Sequence, residues 1–189
     1  MNRALRGAAP WKRGVADPLR EINMGVLDDY LVDPRLSLLE KTRIQAQVLV
    51  PVLQALRSEL GKEKADAIVK QALRGWSKQL FAAVGDGVDG SPRRKWAAMH
   101  TAMAEITEQA VTVEMRRHDK EALEFDVTDC RFAKFFRALG EPELGALLIC
   151  ETDFDIAAAG GGEVSFTRDQ TIMQGAPSCT SRYKFAPRS

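Results

Sequence analysis

Apolar residues recur at helical spacing through the first half of the chain and alternate at strand spacing through much of the second. Leu36, Leu39, Ala46, Val50, Leu53 and Leu56 form a stripe broken only at Arg43, which predicts an amphipathic helix. Asp33-Pro34 precedes it as a start signal. Pro51 removes a backbone donor inside the stripe and is expected to kink or split the helix. Gly61 ends it. A second helix is predicted over 62–84, with Ala65, Ile68, Val69, Ala72, Leu73, Trp76, Leu80 and Ala83 on one face. The glycine-rich run 85–90 is a loop, and it lacks the glutamate that a calcium loop needs. Ser91-Pro92 opens a third helix to about Glu108, with Trp96, Met99, Met103 and Ile106 along it. Its Arg93-Arg94-Lys95 reads as a solvated first turn. Upstream, Asp17-Pro18 opens a short helix to about Leu31. Residues 1–17 read as a flexible leader in which Trp11 is a candidate anchor.

The period changes near Gln109. Residues 110–117 and 122–128 alternate apolar and polar positions and predict two antiparallel strands joined around 118–121. Cys130 to Leu139 reads as a short helix ended by Gly140. Pro142 opens another helix through Cys150 and on toward Ala158. Gly160-Gly161-Gly162 is a turn, and 163–168 and 180–185 are two further strands. Clustered helices with paired antiparallel strands give an α+β fold. The expected layout is a single domain over 18–189: a helical scaffold over 18–108, then a sheet of about four strands with two short helices over 109–185.

Composition narrows the class of protein. The chain has 189 residues, 45% apolar and 28% charged, with a net charge of +1. That suits an ordinary globular domain and gives no basic footprint for nucleic acid. No apolar run approaches the ~20 residues needed to cross a bilayer, and the N-terminus lacks the apolar core of a secretory signal. A cytoplasmic protein that binds neither membrane nor nucleic acid is expected. Three cysteines at wide, irregular spacing argue against a disulfide framework and against paired zinc ligands, so no metal or cofactor is expected.

The candidate chemistry gathers in the last third. Cys179 follows the turn Gly175-Ala176-Pro177-Ser178, where a partly exposed thiol would have backbone amides beside it to hold a developing anion. On spacing alone a buried, inert cysteine fits better. Cys150 lies in an apolar helix three residues before Asp153, so the two share a face if the helix continues. Asp153 would suit water activation, or a cationic substrate group, better than thiolate formation. On spacing alone a solvated helix end fits Asp153 better. Cys130 reads as a helix N-cap or first-turn residue, where helix amides lower a thiol pKa, but a residue packing the helix onto the sheet fits better. His100 is expected at the edge of the core and His118 in solvent.

Taken together, Phe125-Asp126-Val127-Thr128-Asp129-Cys130, Gly140-Glu141-Pro142, Cys150-Glu151-Thr152-Asp153, Thr171 and Gly175-Ala176-Pro177-Ser178-Cys179 resemble the L-2-amino-thiazoline-4-carboxylic acid hydrolase family over roughly 110–185. One departure is Thr180, where members often carry an acidic residue. The resemblance implies hydrolysis of a C–N or C–S bond in a small cyclic amidine or amide; the family's namesake reaction opens an aminothiazoline ring to N-carbamoyl-L-cysteine. It implies Cys179 as nucleophile and Asp153 on the amidine nitrogens or moving protons. Cys130, Cys150, Thr171 and Gly175 would line the pocket, and Arg168 or Arg182 would pair with a substrate carboxylate. A non-enzymatic small-molecule sensor using the same cleft is the alternative, and a zinc protein a third. The apolar helices and the Trp11 tail suggest a homo-oligomer.

Overall fold

The computed structural model describes residues 36–187, with the side chains of 76–86 outside that description. The expected leader 1–17, the helix from Asp17 to Leu31 and the Asp33-Pro34 start signal lie outside the described residues.

Helix α1 (Leu38–Leu60) begins at Ser37, whose hydroxyl accepts from Glu40 N–H while the Glu40 carboxylate accepts from Ser37 N–H. This reciprocal cap satisfies two otherwise orphan amides and contributes about 1 kcal/mol. The helix runs on through Pro51, where a kink or break was expected. Pro51 faces solvent, so the missing donor is not stranded in the core. Leu39, Thr42, Ala46 and Leu53 form its buried face. Helix α2 (Lys62–Asp86) follows Gly61, whose positive φ of 79° suits glycine at the turn. Helix α3 (Pro92–Thr107) is capped by Ser91 and buries Trp96 and Met99. Arg93 does more than meet solvent. Its backbone N–H donates to Glu163 Oε2, its guanidinium donates to Lys120 O, and it stacks over Phe185 at 4.1 Å. Glu163 supplies the negative charge that the first turn lacks.

Strands β1 (Val111–His118) and β2 (Ala122–Cys130) pair antiparallel around Asp119, whose carboxylate accepts from Glu121 and Ala122 amides. Helix α4 (Arg131–Ala138) starts directly from β2. Helix α5 (Pro142–Gly145) widens into a π turn over Ala146–Cys150 before helix α6 (Thr152–Ala159) resumes. One unbroken helix was expected there. The Glu151 amide donates instead to Ala146 O, five residues back, which slips the hydrogen-bond ladder by one residue. Strands β3 (Val164–Thr167) and β4 (Cys179–Phe185) complete a four-stranded antiparallel sheet in the order β1-β2-β4-β3. The fold is α+β, with the helical half first, as the periodicity predicts.

Two buried clusters result. One packs Leu39, Ala46, Leu53 and Ala65 of α1 and α2 against Phe132, Phe136 and Leu144. The other packs Trp96 and Met99 of α3 with Ile156 of α6 on the inner face of the sheet, against Leu123, Val164 and Tyr183.

Candidate functional site

Side chains on a strand alternate between faces. On β4 that sends Cys179, Ser181 and Tyr183 inward, and all three are buried. Val127, Phe125 and Leu123 of β2 lie opposite them in register. On β3, Phe166 pairs with Tyr183, and Arg168, two residues on, falls on the same side. Helix α6 covers this face. The sequence-predicted residues Cys150, Asp153, Arg168 and Cys179 therefore converge where the π turn, α6, β3 and β4 meet.

Arg168 is the hub. Its side chain is only 7% exposed. Nη2 donates to Asp153 Oδ2 and, at 3.2 Å, to Ser181 Oγ; Nη1 donates to the Cys150 carbonyl at 2.9 Å. The guanidinium sits over the Phe166 ring at 4.9 Å. Its Nε is buried and has no hydrogen-bond partner. Burial works against the Arg168 charge, but the neighbouring Asp153 more than offsets it and holds the pKa above its usual value. Asp153 is 32% exposed, so the pair joins a buried cation to a carboxylate open to incoming groups.

The three thiols lie within electrostatic reach of one another. Burial pushes all three pKa values up, Cys150 to about 12. At Cys179 the Ile172 amide, donating to Sγ at 3.2 Å, and the Arg168 charge work in the opposite direction, as does the Ala133 amide at Cys130. Cys130 is the N-cap of α4, as expected, but the thiol-lowering effect of the helix end is outweighed by burial. Cys179 is 8% exposed and not at an open strand mouth. The loop 168–178 closes over it. Thr171 caps the short helix Ile172–Gln174, Gly175 ends it at φ 102°, and Gln170 Nε2 ties back to Ser178. Thr171 and Gly175 thus shape the loop that presents the Ile172 amide to the thiol. Thr180, at the departure from the family pattern, braces that loop by accepting from the Asp169 amide at 3.0 Å.

Arg182 parts from this group. It projects to the opposite face of β4, where it donates to Asp126 Oδ1 at 2.6 Å and to Phe125 O at 2.7 Å. Of the two arginines proposed for a substrate carboxylate, the structure brings only Arg168 to the thiols.

A family profile described as L-2-amino-thiazoline-4-carboxylic acid hydrolase matches residues 41–183. The chain belongs to this family. No curated protein matches it. Among solved structures, the phenol-responsive sensory domain of the transcription activator PoxR with phenol is similar at TM-score 0.43 and 17% identity, over 72% of either chain. A likeness of that size carries no argument about function.

In this L-2-amino-thiazoline-4-carboxylic acid hydrolase family member, sequence reasoning missed a layer of rings beside the thiols. Trp96, His100, Phe125, Phe166, Tyr183 and Phe185 stack in a chain of contacts, with Trp96–His100 centroids at 5.1 Å and Phe166–Tyr183 at 4.5 Å. His100 packs within this layer, and burial lowers its pKa, with Asp153 opposing. His118 is exposed at the end of β1. Ser181 was also missed, although the alternation of β4 places it between Cys179 and Tyr183. Among the described residues no cluster of three or more His, Cys, Asp or Glu gathers to hold a metal ion, and no helix is long and apolar enough to cross a membrane.

Proposed function

We propose that this chain is a hydrolase that opens a small zwitterionic cyclic amidine or amide, with Cys179 as nucleophile and Asp153 and Arg168 as the substrate clamp. The observation that carries it is the Asp153–Arg168 ion pair beside Cys179. Family membership supports the reaction class. L-2-amino-thiazoline-4-carboxylate carries an amidinium and a carboxylate, which are the complements of Asp153 and Arg168. The substrate's two charges would replace the ion pair's mutual contact, and Arg168 Nε has a donor to spare.

A buried neutral thiol is a poor nucleophile until its surroundings change. The amidinium brings positive charge to Cys179 and offsets the burial that holds the thiol protonated. Cys179 Sγ then adds to the amidine carbon. The ring C–S bond breaks, and the thiol proton passes to the departing sulfur. Water adds to the same carbon, the bond to Cys179 Sγ breaks as one water proton returns to the thiol, and N-carbamoyl-L-cysteine leaves. The surplus amidinium proton exits through Asp153 to solvent. The Ile172 amide, already donating to Sγ at 3.2 Å, steadies the sulfur as it gains charge.

The test is release of free thiol from L-2-amino-thiazoline-4-carboxylate by wild type, Cys179→Ala and Asp153→Asn. Turnover in the wild type with loss in Cys179→Ala supports the reading. Turnover retained in Cys179→Ala removes the thiol from the mechanism and points to water activated by Asp153. A second reading, a non-enzymatic small-molecule-binding domain, is favoured by the neutral state of all three thiols. It predicts saturable binding without turnover in every variant.

A further inference from the structure

Around the first turn of α6 the chain carries Glu151, Asp153 and Asp155. At about 100° per residue, Glu151 and Asp155 share one face and Asp153 lies roughly 200° round from Glu151. Asp153 meets Arg168 from the sheet side. The other two meet Arg74 from α2. Arg74 Nη1 donates to Glu151 Oε2 at 2.6 Å and to the Glu151 carbonyl at 3.3 Å, and Nη2 reaches Asp155 Oδ1 at 3.0 Å. The Asp155 side chain is 3% exposed and so sits where an unpaired charge is costly.

We infer that Arg74 is a positioning residue for the substrate clamp, an inference that rests on the reading of Asp153, Arg168 and Cys179 as the substrate site. One guanidinium fork holds the segment on both sides of Asp153. It also holds the carbonyl of the residue directly after Cys150, whose own carbonyl is bound by Arg168. The segment begins on a π turn, a helix form that is rare and short. Glu151 and Asp155 stand one turn apart and repel without a shared cation. Arg74 therefore sets the height and rotation at which Asp153 and the Cys150 carbonyl meet Arg168. A lysine keeps the charge but cannot span two carboxylates and a carbonyl, because its ammonium is a point and not a fork.

The experiment compares wild type with Arg74→Lys and with the triple variant Arg74→Met, Glu151→Gln, Asp155→Asn. The triple variant removes the three charges of the Arg74 fork together, so neither carboxylate is left facing a missing guanidinium, and it separates the fork's geometry from its charge. The first readout is the rate of iodoacetamide alkylation at Cys150 and at Cys179, resolved by peptide mass at a temperature where each protein is fully folded. Both variants are expected to alkylate on the order of tenfold faster, because the segment over the thiols opens locally. The second readout is turnover, where KM is expected to rise more than kcat falls. If the hydrolase reading fails, no protein turns over substrate while the alkylation difference remains and supports the positioning role. If Arg74 merely fastens α2 to α6, both variants melt earlier with alkylation rates within about twofold of wild type, and the inference is overturned.

Discussion

Two arginines, one part-buried and one more deeply enclosed, stand at two junctions of this molecule and are partnered in opposite ways. Arg57, where α1, α2 and the turn before α5 meet, faces two carboxylates. Its Nε donates to Asp66 at 2.6 Å, and Nη1 reaches both oxygens of the nearly buried Glu141 at 2.9 and 2.7 Å. Arg168, on the inner face of the sheet, faces one half-exposed carboxylate, a serine and a carbonyl, and its Nε is idle. A cation with more negative charge than it can use is committed to the fold. A cation with one exchangeable counter-ion and a spare donor can accept a ligand's carboxylate without leaving a charge stranded. The inventory of partners separates the two roles.

The largest expected effect breaks the scaffold junction. Arg57→Ala strands the Glu141 carboxylate and should lower unfolding free energy by about 3–5 kcal/mol in urea titrations, with the Cys179 environment unchanged in the folded protein. Arg168→Met should cost less, about 1–3 kcal/mol, because Asp153 can turn to water. Its effect on binding is the larger one: calorimetry should show affinity for the zwitterionic substrate reduced on the order of 100-fold, the loss of a charge-assisted bidentate contact. Equal stability losses with binding intact would erase the contrast between the two arginines.

Alkaline pH gives the next test. The folded-state pKa of Cys150 is raised to about 12, against about 8.5 for an unfolded thiol. A raised thiol pKa means the native state holds its proton more tightly. The resulting stability is fully present below about pH 8.5 and is lost as pH rises toward 12. Alkaline unfolding should therefore be steep above pH 9 and flatter in Cys150→Ala; an unchanged slope in that variant would contradict the burial account. Smallest of all, Ser37→Ala should cost about 1 kcal/mol through loss of the α1 cap and leave thiol alkylation untouched, since the cap is remote from the sheet face.

Much of the fold was legible because each element carries its period in its own residues. The alternation over 110–117 and 122–128 and the capping signal at Ser91-Pro92 map onto the observed strands and helix within a residue or two. The π turn at Ala146–Cys150 was not legible, because a ladder slipped by one residue leaves no mark in composition. At the site, Cys150, Asp153, Arg168 and Cys179 were named from a motif, but their meeting depends on the order β1-β2-β4-β3, which brings β3 and β4 under α6. Strand parity is a property of the sequence alone, and on β4 it suffices to part Arg182 from Cys179, Ser181 and Tyr183. Closure of loop 168–178 over the thiol has no such local signal, since it depends on contacts across the loop such as Gln170 to Ser178.

The measurement that tests the central claim most directly is intact-protein mass after rapid mixing with L-2-amino-thiazoline-4-carboxylate and acid quench, followed by peptide mapping. Opening the ring onto the enzyme loses no atoms. The account predicts an adduct of one whole substrate mass on the peptide that carries Cys179, absent in Cys179→Ala and much reduced in Arg168→Met. Turnover that proceeds with no adduct on Cys179 at any quench time, and at an undiminished rate in Cys179→Ala, would contradict it.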